Sequence, residues 1–134
     1  MNQDYLLDTN ICIYFFKGKY SVREKIREIG TNHCYISEIT LAELIYGAQC
    51  SANVAKHTKE IEDLLSMIQV LPIRPILTEY GVIKKELRLK GMMIENFDLL
   101  IGVTALANNL IMVTENTKHI CHIPGLKIEN WVKK

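Results

Sequence analysis

No apolar run in this chain approaches the ~20 residues that a membrane-crossing helix needs, so its hydropathy offers no transmembrane segment. There is no Cys-x-x-Cys pair either. The four cysteines, Cys12, Cys34, Cys50 and Cys121, are scattered along the sequence, which points to buried thiols in a reducing compartment. Near the start an acid, Asp4, stands where a signal peptide would be basic, so a cytoplasmic location is expected. Only three prolines interrupt the chain, with no linker, low-complexity stretch or repeat, and one domain spanning residues 1–134 is expected. An excess of one charge is missing too. Sixteen Lys and Arg against 15 Asp and Glu leave a net charge of +1, so any attraction for nucleic acid must come from a local cluster.

What the chain does have is a regular alternation of short apolar runs and amphipathic stretches. Tyr5-Leu6-Leu7 is too short for a helix and runs into Asp8, with the helix starters Thr9 and Asn10 behind it. This reads as a buried strand presenting Asp8 at its carboxyl end, followed by a short helix over 11–16 that stops near Gly18. Residues 21–29 predict an amphipathic helix, 34–36 a second strand, and Ser37 the N-cap of a helix that ends around Gly47. A helix over 53–67, a strand over 68–71 and a helix running from Pro75 to Gly91 follow. Residues 97–108, with Asn96 as cap, form a helix apolar almost all round, before a strand over 110–113 and a short one over 126–128. This alternation points to a parallel α/β sheet covered on both faces.

With 15 acids in the chain, an acid is informative only where it sits in apolar surroundings, because burying a carboxylate costs several kcal/mol without a compensating partner. Three qualify: Asp8 after Leu6-Leu7, Glu43 within Leu41-Ala42-Glu43-Leu44-Ile45, and Asp98 within Phe97-Asp98-Leu99-Leu100-Ile101. None has a Lys or Arg within four positions. If they converge, repulsion raises at least one pKa unless a divalent cation holds them together. An all-oxygen site suits Mg²⁺ or Mn²⁺, and its natural chemistry is metal-assisted phosphodiester hydrolysis. On the helix from Pro75, Lys84, Lys85 and Arg88 share one side and form the candidate RNA-contacting lip, against the plainer reading of a solvated face.

The sequence resembles the PIN-domain ribonucleases of the VapC type, the toxin half of bacterial toxin–antitoxin pairs. The matching pieces are Leu7-Asp8-Thr9-Asn10, the run from Ser37 to Ala48, the run from Asp98 to Leu106, Val113-Thr114-Glu115-Asn116, Ile123-Pro124-Gly125-Leu126 and Glu129-Asn130-Trp131. The resemblance implies a three-layer α/β/α domain with about five parallel strands, and metal-dependent endonucleolytic cleavage of RNA. It makes Asp8 and Asp98 the main metal ligands, with Glu43 completing the cluster directly or through water. Asn10, Thr114 and Asn116 are implied as auxiliary polar groups. It further implies an antitoxin partner and a homodimer or toxin–antitoxin hetero-oligomer.

His119 stands where many relatives carry a fourth acid, which argues for one firmly bound ion and leaves His119 to touch phosphate or water. Two rivals remain at this level. An aspartyl-phosphate phosphatase would use Asp8 as nucleophile but needs a second acid at position 10, where this chain has Asn10. A catalytically weak or inactive module that only binds a partner is the other.

Overall fold

The computed structural model describes residues 3–134. In chain order its elements are β1 (Tyr5–Leu7), α1 (Thr9–Lys17), α2 (Val22–Ile29), β2 (Cys34–Ser37), α3 (Glu38–Gln49), α4 (Val54–Leu65), β3 (Gln69–Leu71), α5 (Leu77–Leu89), α6 (Asn96–Ala107), β4 (Ile111–Val113), α7 (Thr117–Ile120) and β5 (Ile128–Glu129). The five strands form one parallel sheet in the order β3-β2-β1-β4-β5. The first strand is therefore central, and the chain winds outward on both sides of it.

Successive strand residues point to opposite faces, and here both faces are covered. Leu6 and Leu7, both fully buried, belong to different halves of the core. Leu7 packs with Ile11, Val22, Ile26, Leu44 and Leu64 from α1 to α4. Leu6 packs with Ile83, Leu87, Leu99, Val103 and Ile120 from α5 to α7. Met112 and Val113 divide the same way on β4. This is why the strands read as unbroken apolar runs, and it yields the three layers expected from the sequence.

Helix starts are set by side-chain caps. Asp8 Oδ1 accepts from Thr9 N at 2.8 Å, and Ser37 Oγ accepts from Ile39 N at 2.9 Å. At α6 the cap is Glu95, whose Oε2 accepts from the backbone nitrogens of Phe97 and Asp98, rather than the expected Asn96. A carboxylate reaches two free N–H groups and suits the positive end of the helix better than the neutral amide. Gly47 lies inside α3, which continues to Gln49, because nothing at Gly47 forces a left-handed turn. The cysteines divide: Cys12 and Cys34 are buried, whereas Cys50 and Cys121 are exposed. Burial pushes the Cys34 thiol up to about 11 and raises that of Cys12 further, so both stay protonated. Among the described residues no helix is long and apolar enough to cross a membrane.

Candidate active site

The topology reverses between β1 and β4, and a crevice opens there beyond the carboxyl ends of the strands. Asp8 follows β1 directly and is 7% exposed. Its backbone N–H extends the sheet to Val113 O at 2.9 Å, and its carboxylate is held at both oxygens. Oδ1 takes the Thr9 N–H that makes it the cap of α1, while Oδ2 accepts from Thr114 Oγ1 at 2.7 Å. Capping and exposure to the crevice are thus one arrangement, since the helix start holds the carboxylate at the strand end.

Asp98 comes from the first turn of α6 and is partly buried, accepting from Asn116 Nδ2 at 3.2 Å. Its carboxyl is raised to about 6 from the ordinary 3.8, chiefly by burial, then by the charges of Asp8, Glu95 and Glu43, against the lowering effect of Asn116. Asp8 is raised as well, by burial, with the bonds from Thr114 and Thr9 opposing. The bonds from Thr114 to Asp8 and from Asn116 to Asp98 bring segments 90 residues apart against one turn. None of the ion pairs among the described residues involves any of the three acids.

Glu43, half-buried on α3, is engaged by Thr9, whose hydroxyl donates to Glu43 Oε1 at 2.6 Å. The buried Thr40 hydroxyl stands 3.2 Å from the same Thr9 oxygen. Sequence reasoning had read Thr9 only as a helix starter. The acids share the crevice, yet among the described residues no three His, Cys, Asp or Glu side chains stand close enough to hold a metal ion as a group. A three-carboxylate cage is therefore not what the side chains form. The donor set instead fits a hard cation bound through one or two carboxylates that keeps several of its own waters, as Mg²⁺ does. Asp8 and Asp98 are the carboxylates that could serve as direct ligands of such an ion.

The other candidate residues divide. Thr114 and Asn116 stand against the acids as just described. Asn10, the position at which a phosphatase would need its second acid, is exposed in the first turn of α1. His119 is exposed on α7. Of the basic lip, Lys85 and Arg88 are exposed, whereas Lys84 reaches across to the start of α6, its Nζ donating to Asn96 Oδ1 at 2.7 Å. Two faces beside the crevice remain bare. Ile45 and Tyr46 on α3 are 46% and 72% exposed, and Phe97, next to Asp98, is 47% exposed. A groove of about 610 Å³ runs along Ile13, Phe16, Leu44, Ala48 and Ile61 to Glu43, with Lys17, Lys19 and Lys56 at its rim.

The family model described as PIN domain matches residues 5–126. Ribonuclease VapC2 of Rickettsia felis is 38% identical over 132 residues, covering 96% of this chain and 98% of that protein. The tRNA(fMet)-specific endonuclease VapC of Shigella flexneri is 40% identical over 129 residues, covering 95% and 97%. The solved structure of VapBC2 from Rickettsia felis, bound to a DNA fragment from its promoter, superposes with a TM-score of 0.89 at 36% identity, over 96% of this chain and 99% of that one.

Proposed function

This chain belongs to the PIN-domain family, and from that premise we propose that it is a metal-dependent endoribonuclease, the toxin of a toxin–antitoxin pair, working with Mg²⁺ or Mn²⁺ in the cytoplasm as a single domain. The observation that carries the reading is the meeting of Asp8 and Asp98 at the sheet's crevice with raised pKa values and no cation among their partners. Such a pair is poorly satisfied by the protein alone and gains most from a divalent ion.

In this reading Asp8 and Asp98 are the ligands. Thr114 and Asn116 donate to one oxygen of each and so orient the two carboxylates that would hold the ion. The ion supplies a water of lowered pKa and stabilises the charge that develops on the phosphate and the leaving oxygen. Glu43, kept in place by the Thr9 hydroxyl, is the carboxylate that would orient such a water and accept its proton. Lys84 meets the RNA backbone from the α5 side, while Lys85 and Arg88 add long-range attraction only. The apolar groove with its lysine rim is the seat of the antitoxin, and the bare apolar side chains of α3 contact partner chains. Transfer RNA is the first substrate to examine, because the Shigella flexneri relative is named for tRNA(fMet).

Sequencing RNA 5′ ends after brief induction in cells tests this directly. New ends at defined positions are expected with the native chain and none with Asp8→Asn. Equal ends from both would remove Asp8 from the reaction, and no new ends from either would leave a binding module.

A further inference from the structure

The turn after β4 does two jobs with three residues. Thr114 donates to Asp8 Oδ2 and accepts the Asn116 N–H at 3.0 Å, and Asn116 donates in turn to Asp98 Oδ2. A single chain of hydrogen bonds thus runs from one acid to the other. The acids repel each other, so whatever fixes this turn also fixes their separation. Thr114 is anchored by the sheet, through its own N–H to Glu129 O at 3.0 Å. Asn116 lies past the end of the strand and lacks that ladder.

The residue between them points the other way. Glu115 accepts a hydrogen bond from the Tyr14 hydroxyl, 101 positions away on α1, and its other oxygen lies 3.2 Å from Lys134 Nζ. Tyr14 is itself braced edge-on by Tyr20, with ring centroids 4.8 Å apart. The tie matters for where it lands: α1 is the helix that Asp8 caps. The turn carrying Asn116 is therefore fastened to the element that carries Asp8.

We propose that Tyr14 and Glu115 are positioning residues, whose bond holds the Thr114–Asn116 turn against α1 and so sets the placement of Asp98 relative to Asp8. The inference rests on the nuclease reading above. Neither residue touches substrate or ion, so both act through Asn116.

The test uses the purified full chain with tRNA(fMet) as substrate and Mn²⁺ as the metal probe, in Tyr14→Phe, Glu115→Ala and the double variant, with Asp8→Asn alongside. Each single variant is expected to lose about tenfold in kcat with KM within twofold, and to bind Mn²⁺ several-fold more weakly by calorimetry. Melting midpoints should stay close to the native value, since the pair is near the surface. The double variant should lose no more than either single one, because both remove the same link. Native kcat and Mn²⁺ affinity in both single variants would overturn the proposal, as would losses that multiply in the double variant. If Asp8→Asn cleaves as well as the native chain, the nuclease site itself is misassigned. If Asp8→Asn is inactive and Tyr14→Phe is not impaired, only the positioning role fails.

Discussion

Replacing Asp98 by Asn removes a charge that the folded chain holds against burial and three neighbouring acids. The carboxyl titrates at about 6 in the fold against an ordinary 3.8, so between those values the folded chain binds more protons than the unfolded one. Stability therefore falls as pH rises through this window and is flat above it. At 1.36 kcal/mol per pH unit the full penalty would be ~3 kcal/mol. Asp98 is only partly buried, and water screening brings the expected figure to about 1 kcal/mol. Asp98→Asn should thus melt roughly 3 to 5 °C higher than the native chain at pH 7.5 in chelator. The gain should shrink toward zero as the pH approaches 4. Adding Mg²⁺ should reverse the order: ligation stabilises the native chain by about 2.7 kcal/mol at a hundred times Kd, and the variant has lost a ligand. Thermal unfolding followed by circular dichroism at several pH values, with chelator and with Mg²⁺, reads all three effects. A variant no more stable than the native chain in chelator at pH 7.5, or a gain unchanged from pH 7.5 to 4, would refute the reasoning.

Three further outcomes are expected. A methyl group on Gly102 would stand 2.4 Å from Ile123 Cδ1, so Gly102→Ala should lower stability by about 1–3 kcal/mol in urea unfolding, without changing the identity of the RNA cut. Lys84→Ala should raise KM for RNA several-fold and reduce the slope of log binding constant against log salt by about 0.7, whereas Lys85→Ala should leave the slope nearer its native value. Alkylation with iodoacetamide should label Cys50 and Cys121 in the native chain and reach Cys12 only on unfolding, as mass spectrometry of the peptides will show.

The sequence carried the architecture because strands buried on both faces must be apolar at every position, and Leu6-Leu7, Ile36 and Met112-Val113 are. Two acids stood out for their apolar surroundings, Asp8 directly after β1 and Asp98 in the first turn of the apolar helix α6. Glu43 shows where that filter loosens. Its helix neighbours Ile45 and Tyr46 are largely exposed, so the apolar context marked a surface left bare rather than a core. The role of Thr9 was hidden because a hydroxyl after an acid looks like a helix cap, and only the packing of α3 against α1 brings Glu43 to it. Glu115 was equally unreadable: whether a loop acid faces solvent or a tyrosine 101 positions earlier is decided by tertiary structure. Asn96 was the cap that the sequence offered, and the longer Glu95 side chain takes the role because it reaches two free N–H groups.

The central place of β1 bears on when the site is complete. Its neighbour β4 comes from far along the chain, and Asp8 gains the Thr114 hydroxyl only across 106 positions of sequence. A chain made only as far as α6 already holds Asp8, Glu43 and Asp98, but it lacks the hydroxyl and amide that Thr114 and Asn116 bring to two of them. The two acids are therefore bridged only once β4 has docked beside β1 and carried its turn into place.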